Sequence, residues 1–220
     1  MTFLLLLAAS YSALMLWRYG RRGILVLAPG LLRYRSWESA TPSTAAQRLA
    51  GEALRELGFR RLGSRSEEGP LGGLGLASDS WADDAHRAYA DVFEEAPRRG
   101  AEARLYFLST FPDGAVALTA NHPRQGRSDG SVEVAGIPAA GTGAVLAAHL
   151  RTLERLAPRH GLPTATGDLG AREAAARAWY RAAGARELQA RFLLYFVNAL
   201  LAALILGGAL HMLLARANAS

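Results

Sequence analysis

Residues 192–214 run for 23 positions without an aspartate, glutamate, lysine or arginine, between Arg191 and Arg216. At 1.5 Å per residue, a helix of this length measures about 34 Å, enough to cross the hydrocarbon core of a bilayer. Nine leucines, with Phe192, Phe196, Val197 and Ile205, each favour insertion by roughly 0.3 to 0.6 kcal/mol, which outweighs Asn198, His211 and the Gly207-Gly208 pair. The core helix of a soluble protein would carry a polar face, and this run has none. It predicts a C-terminal transmembrane helix, with residues 191–220 forming the span and a short tail.

A second apolar run opens the chain. Residues 1–17 are uncharged and are followed by Arg18, Arg21 and Arg22, a short span of about 26 Å. A cleaved signal peptide is the alternative. No basic residue precedes the apolar run, however, and a cut after Ala8-x-Ser10 leaves too short a hydrophobic stretch. A retained anchor is therefore expected. Residues 23–32 are apolar but too short to span, and Pro29-Gly30 breaks a helix there, so they are expected at the membrane interface within an anchor segment of residues 1–35.

Arginine placement sets the orientation. Arg18, Arg21, Arg22, Arg33 and Arg35 follow the first run, Arg172, Arg177, Arg181, Arg186 and Arg191 precede the second, and Arg216 alone lies beyond it. For a bacterial inner membrane this predicts a multi-pass protein with a cytoplasmic central domain and both termini on the other side. The same count explains the net charge of +6. Residues 36–190 hold 18 arginines and all 19 carboxylates, so the excess belongs to the membrane flanks. That pattern fits anionic lipid headgroups and argues against nucleic acid, whose binders carry a basic stripe on the folded domain.

All 25 basic residues are arginines, and cysteine is absent. This excludes a Schiff-base or Walker A lysine, a disulfide framework, a zinc ribbon, an iron–sulfur cluster and a cysteine nucleophile. No cofactor is implied.

Residues 36–190 read as a mixed domain. Thr44 and Gln47 have capping-box spacing before a helix with an apolar stripe of Ala46, Leu49, Ala50, Ala53, Leu54 and Leu57, stopped by Gly58. Leu105, Phe107 and Phe111 alternate with polar positions, and so do Val116 and Leu118. Pro112-Asp113-Gly114 between them supplies hairpin turn chemistry. Tyr89, Asp91 and Phe93 mark a strand before this hairpin, and Val132, Val134 and Ile137 one after it, joined by the polar loop 121–130. A weaker strand near residues 74–80 follows several glycines. Thr142 caps a helix over residues 143–159 with Leu146, Leu150, Leu153 and Ala157 on one face, ended by Gly161. Asp168 caps a third helix, which continues through Gly184 into the second span. The expected class is α+β: an antiparallel β-meander with helices on one face, between two transmembrane helices.

The motifs carry little catalytic chemistry. Gly126-Arg127-Ser128-Asp129-Gly130 matches the G-x-S-x-G nucleophile elbow, but a strand rather than a helix follows it. Ser128, with His122 and His86, makes the weak catalytic set. Gly69 to Gly75 could cradle a phosphate only with a strand before and a helix after. His149 and His160 lie eleven residues apart on one helix, about 16 Å, too far to share a metal. In the second span, Ala199, Ala203 and Gly207 recur every four residues and suit close helix packing, with Ala9 and Ala13 as counterparts and Asn198 as an interhelical hydrogen-bonding group.

The sequence therefore predicts a binding or scaffold module at the membrane surface, with the bilayer as one partner and a protein, or a second copy through the transmembrane helices, as another. The alternative is a membrane-associated hydrolase or transferase acting on a lipid or amphipathic substrate.

Overall fold

The computed structural model describes residues 2–37, 44–69, 72–93 and 103–218. Pro70-Leu71, within the glycine-rich stretch Gly69 to Gly75, lie outside them. The chain divides into two compact units. One comprises Met1–Arg33, Gly69–Leu74 and Arg186–Ser220, the other Tyr34–Glu68 and Gly75–Ala185.

The first unit holds two long helices. α1, Thr2–Leu27, continues through all three arginines that follow the uncharged run, since arginine is a good helix former. It stops at Ala28, ahead of a single 3₁₀ turn, Pro29–Leu31, because the residue before proline is driven out of the helical region. α5, Ala185–Ala217, contains the 23-residue run. Phe3–Leu27 and the helical run Leu169–Ala217 are each long and apolar enough to cross a membrane. Their large apolar side chains point outward. Phe3, Leu7, Leu14 and Trp17 of α1 and Leu194, Leu201, Leu204 and Ile205 of α5 are all more than half exposed.

These two helices pack antiparallel. Tyr19 and Tyr195 meet with ring centroids 6.0 Å apart, and Gln189 Nε2 donates to the carbonyl of Val26 at 3.1 Å. A Cβ on Gly23 would stand 2.8 Å from the Cα of Phe196. The crossing is therefore as close as it is because residue 23 has no side chain.

The second unit is built on an eight-stranded sheet. β1 (Arg33–Trp37), β2 (Arg60–Gly69), β3 (Gly72–Asp83), β4 (Ala88–Phe93), β5 (Arg104–Thr110), β6 (Val116–Ala120), β7 (Arg127–Ser128) and β8 (Val132–Gly136) lie in the order β1-β2-β3-β4-β5-β6-β8-β7. The β5–β6 hairpin turns as its sequence predicts. Gly114 takes φ 91°, its amide donates to Phe111 O at 3.0 Å, and Asp113 Oδ1 accepts from the Ala115 amide at 3.1 Å. The antiparallel meander runs from β3 to β6 and ends there, because β8 pairs parallel to β6. The loop over 121–130 returns the chain to the starting edge before β8 begins. Within that loop, β7 pairs antiparallel with β8.

The helices lie on both faces of the sheet, which corrects the expected one-faced arrangement. α2 (Ala45–Glu56) and α3 (Thr142–His160) contribute Leu54, Val145 and Leu146 to a core with Ala88, Ala90, Val92, Leu105 and Phe107. On the opposite face, α4 (Leu169–Trp179) and the π turn Tyr180–Gly184 that joins it to α5 contribute Ala175, Trp179 and Ala183 to a core with Tyr89, Leu108, Leu118 and Val134. β6 is buried throughout and β4 at all but its last residue, and a strand hidden on both faces needs a layer over each. In β4 the second face is made by Tyr89 and Asp91, whose polar tips disguise it in the sequence.

The helix ends follow their capping signals in part. Thr44 Oγ1 accepts from the Gln47 amide at 3.1 Å, and Asp168 Oδ1 from the Ala171 amide at 2.9 Å. Gln47, however, does not return its side chain to Thr44. It is buried and donates Nε2 to Val92 O at 3.4 Å and Ala77 O at 3.5 Å. The inward face of α2 thus runs through Gln47, Gly51 and Leu54, while Leu49 faces outward.

Candidate functional site

The sheet face under α4 carries a buried ionic cluster. The strand register sets Ser80 opposite Asp91 and Asp91 opposite Tyr106, so three adjacent strands align three polar side chains in one row. β2 adds Arg65 and α4 adds Arg172. Oδ2 of Asp91 accepts from Arg65 Nη2 at 2.6 Å, from Arg172 Nη2 and from Tyr106 Oη, while Oδ1 accepts from Ser80 Oγ at 2.6 Å. Arg65 and Arg172 also donate to Tyr106 Oη at 2.8 and 3.1 Å. Arg65 lies over the Tyr34 ring at 5.0 Å, and Arg172 lies over Tyr89 at 5.6 Å. Glu67 accepts from Tyr180 Oη at 2.9 Å and supplies a second carboxylate nearby.

Burial by itself would raise the Asp91 carboxyl's affinity for a proton. Arg172, Arg65 and the hydrogen bonds overcome that effect and hold it well below the usual carboxylate range. Burial, reinforced by the Asp91 charge, pushes the Tyr106 hydroxyl up to about 12. The cluster thus holds an ionised aspartate and a neutral tyrosine across the physiological range. What it offers is N–H donors. Nε and Nη1 of both arginines are buried and have no hydrogen-bond acceptor among the described residues.

The residues singled out in the sequence lie elsewhere. Ser128 Oγ donates to Glu133 Oε1 at 2.7 Å, and Arg155 grips both oxygens of that carboxylate at 2.8 and 3.1 Å. His122 receives the Nε of Arg124 at 3.1 Å, and burial with the charges of Arg124 and Arg104 pushes it down to about 3. His86 is half-exposed in the turn between β3 and β4, where it binds Asp83. Neither histidine is hydrogen-bonded to Ser128. His149 is buried between Ser109 Oγ and Thr119 Oγ1, each at 3.1 Å, and burial pushes it down to about 3. Among the described residues no group of three or more histidine, aspartate or glutamate side chains is placed to hold a metal ion. The glycine-rich segment joins β2 to β3, with no helix following it.

In α5, Ala199, Ala202 and Ala209 are buried, whereas Ala203 and Gly207 are exposed. Asn198 lines a cleft of about 580 Å³ together with Leu194 and Tyr195 of α5. The opposite wall comes from α1: Leu14, Trp17, Arg18, Tyr19, Arg21 and Arg22. Arg22 Nη1 donates to Tyr195 Oη at 3.0 Å, and its guanidinium lies over the same ring at 5.1 Å.

No protein-family model, curated protein or solved structure matches this chain.

Both arginine sites escape motif reading for the same reason. Arg65, Asp91 and Arg172 are separated by 26 and 81 residues, and only the register of three strands plus one helix joins them. The cleft had a visible half-signal: Arg18, Arg21 and Arg22 have the spacing that places side chains on one helix face. The sequence does not show that Tyr195 and Asn198 stand across from them.

Proposed function

We propose that this chain is a two-span integral membrane protein of a bacterial inner membrane. Its α+β domain lies on the cytoplasmic side and acts as a binding or scaffold module at the membrane surface. The observation that carries this reading is the pair α1 and α5: antiparallel, apolar on their outward faces, and flanked by arginines at the ends that lead into the domain. A soluble core helix buries its apolar side chains, and these do not. An arginine excess within about 20 residues of the span ends favours a cytoplasmic location for that side. The domain's polar core supports binding over catalysis, because Asp91 and Tyr106 are fixed in single protonation states and Ser128 is engaged by a carboxylate that is itself held by Arg155.

The absence of cysteine makes the test direct. Ser131→Cys, on an exposed position of the domain, is expected to resist a membrane-impermeant maleimide in intact spheroplasts and to react after lysis. Asn218→Cys, beyond α5, is expected to react in both. Labelling of Ser131→Cys in intact spheroplasts overturns the orientation. Release of the protein from membranes by alkaline carbonate overturns the spans.

A further inference from the structure

The cleft between α1 and α5 brings together groups that the domain's chemistry does not use. Arg18, Arg21 and Arg22 occupy i, i+3 and i+4 of α1 and line one wall, the spacing that stacks side chains on a single helix face. No acidic residue lines the cleft, and none occurs anywhere in residues 1–35. Nε of Arg21 is buried without an acceptor among the described residues. Arg22 is steered by Tyr195, which takes a hydrogen bond from Nη1 and presents its ring to the guanidinium. The cleft's volume of about 580 Å³ falls within the range of small-molecule sites, roughly 300 to 1,000 Å³.

The rest of the lining is amphipathic in a definite order. Leu14, Trp17 and Leu194 are each more than half exposed and form an apolar margin. The arginines, Tyr195 and Asn198 supply donors beside it. A free oxyanion needs only the donors. A molecule with a phosphate at one end and a hydrocarbon chain at the other uses both.

We propose that this cleft is a binding site for the phosphate of an anionic phospholipid, with Arg21 and Arg22 gripping the phosphate oxygens, Arg18 adding charge, and the acyl chains lying along Leu14, Trp17 and Leu194. Guanidinium groups suit this role because their planar fork meets phosphate oxygens two at a time. Basic pockets between transmembrane helices on the cytoplasmic side are a physical setting in which headgroups are held specifically. The inference rests on the reading of α1 and α5 as membrane spans.

The test uses the full chain, purified in mild detergent and incubated with phosphatidylglycerol or phosphatidylcholine. Retained lipid is counted by native mass spectrometry. One phosphatidylglycerol is expected to stay bound and phosphatidylcholine to be lost. Arg21→Gln with Arg22→Gln is expected to weaken retention roughly tenfold or more, the effect of losing charge-assisted hydrogen bonds. Arg33→Gln with Arg35→Gln removes the same charge from residues that do not line the cleft, and is expected to leave retention unchanged. Arg21→Lys keeps the charge without the fork and is expected to fall between. Equal loss in the two double variants overturns the site in favour of unspecific charge attraction, and so does equal retention of the two lipids. Displacement of the lipid by millimolar inorganic phosphate overturns the lipid as the source of the anion. Carbonate extraction of the same variants is read separately. Release there removes the spanning reading, whereas loss of lipid selectivity in a carbonate-resistant protein removes this site alone.

Discussion

Arg172 of α4 and Asp91 of β4 are hydrogen-bonded inside the domain, with side chains only 1 % and 0 % exposed. Because Arg65 shares the same aspartate oxygen, the two partners are not equivalent. Removing Asp91 leaves two buried cations facing each other without their common anion. Removing Arg172 leaves Arg65 and Asp91 as a one-to-one pair. Breaking a buried pair by deleting one partner costs about 3 to 5 kcal/mol when the charge left behind has no other counter-ion. Asp91→Ala is therefore expected at or above the upper end of that range, and Arg172→Met well below it. Chemical denaturation of the full chain in detergent, followed by circular dichroism, compares the two. Equal losses would show that the shared oxygen carries no special weight.

Acid should destabilise the domain through His149. Burial holds this imidazole at about 3 against an ordinary value of 6.5, so the native state keeps it neutral where the unfolded chain takes up a proton. A histidine lowered in this way contributes stability above its unfolded value and loses it as pH falls from 6.5 towards 3, by about 1.4 kcal/mol per pH unit. His122, also pushed down to about 3, acts in the same direction. His160 opposes them, because its hydrogen bond to Asp113 raises its value. His149→Gln keeps hydrogen-bonding capacity towards Ser109 and Thr119 and removes the titration. Its denaturation midpoint is expected to vary less between pH 7 and pH 4.5 than that of the parent chain.

What the sequence revealed and what it hid divide along one physical line. Most features set by neighbouring residues were readable: Thr44 and Asp168 as caps, the Pro112-Asp113-Gly114 turn, the alternation in β4 and β5, and the apolar run of α5; Thr142, expected as a cap, instead lies inside α3 behind Gly141, with no side-chain cap. Features set by distant partners were not. β2 reads as polar, with Arg60, Arg61, Ser64, Arg65 and Glu67, and no hydropathy pattern marks it as a strand. Its middle, residues 63–65, is buried nonetheless, because Ser64 bonds to Asp79 at 2.6 Å and Arg65 to Asp91. For the same reason the layer over Tyr89 and Asp91 was unreadable. A charged residue signals solvent unless its counter-ion is known, and here the counter-ion lies on another strand. Gln47 fits the capping-box pattern, yet two carbonyls deep in the sheet claim its side chain.

Gly51 sits in the interior of α2, where alanine would ordinarily improve helix stability by roughly 1 kcal/mol. Here a Cβ would stand 2.6 Å from Cζ2 of Trp81, and Trp81 is itself among the most deeply buried side chains. The indole cannot retreat without disturbing the core shared with Leu54 and Phe59. Overpacking of this kind costs about 1 to 3 kcal/mol and outweighs the propensity gain. Gly51→Ala is expected to be destabilised, and Gly51→Ala with Trp81→Phe to recover part of the loss. Recovery in that double variant, read from denaturation midpoints, separates the clash from a backbone effect.

In the helix pair the crossing is set by Gly23, whose missing side chain lets the backbone of Phe196 approach. A leucine at 23 would drive α1 and α5 apart by roughly the width of a side chain, since so close a backbone approach depends on a small residue at the contact. Two neighbouring interactions report on the separation. Arg22 would lose its 3.0 Å bond to Tyr195, and Gln189 its 3.1 Å bond to Val26. Cysteines placed at Tyr19 and Tyr195, whose rings lie 6.0 Å apart, are expected to crosslink through a short bifunctional maleimide in the parent chain and poorly in Gly23→Leu. Gly207→Leu serves as the matched control, because nothing lies within 4 Å of a Cβ built there, and it should crosslink like the parent. If Gly23→Leu crosslinks equally well, the two helices are held together by other contacts and the glycine crossing is incidental.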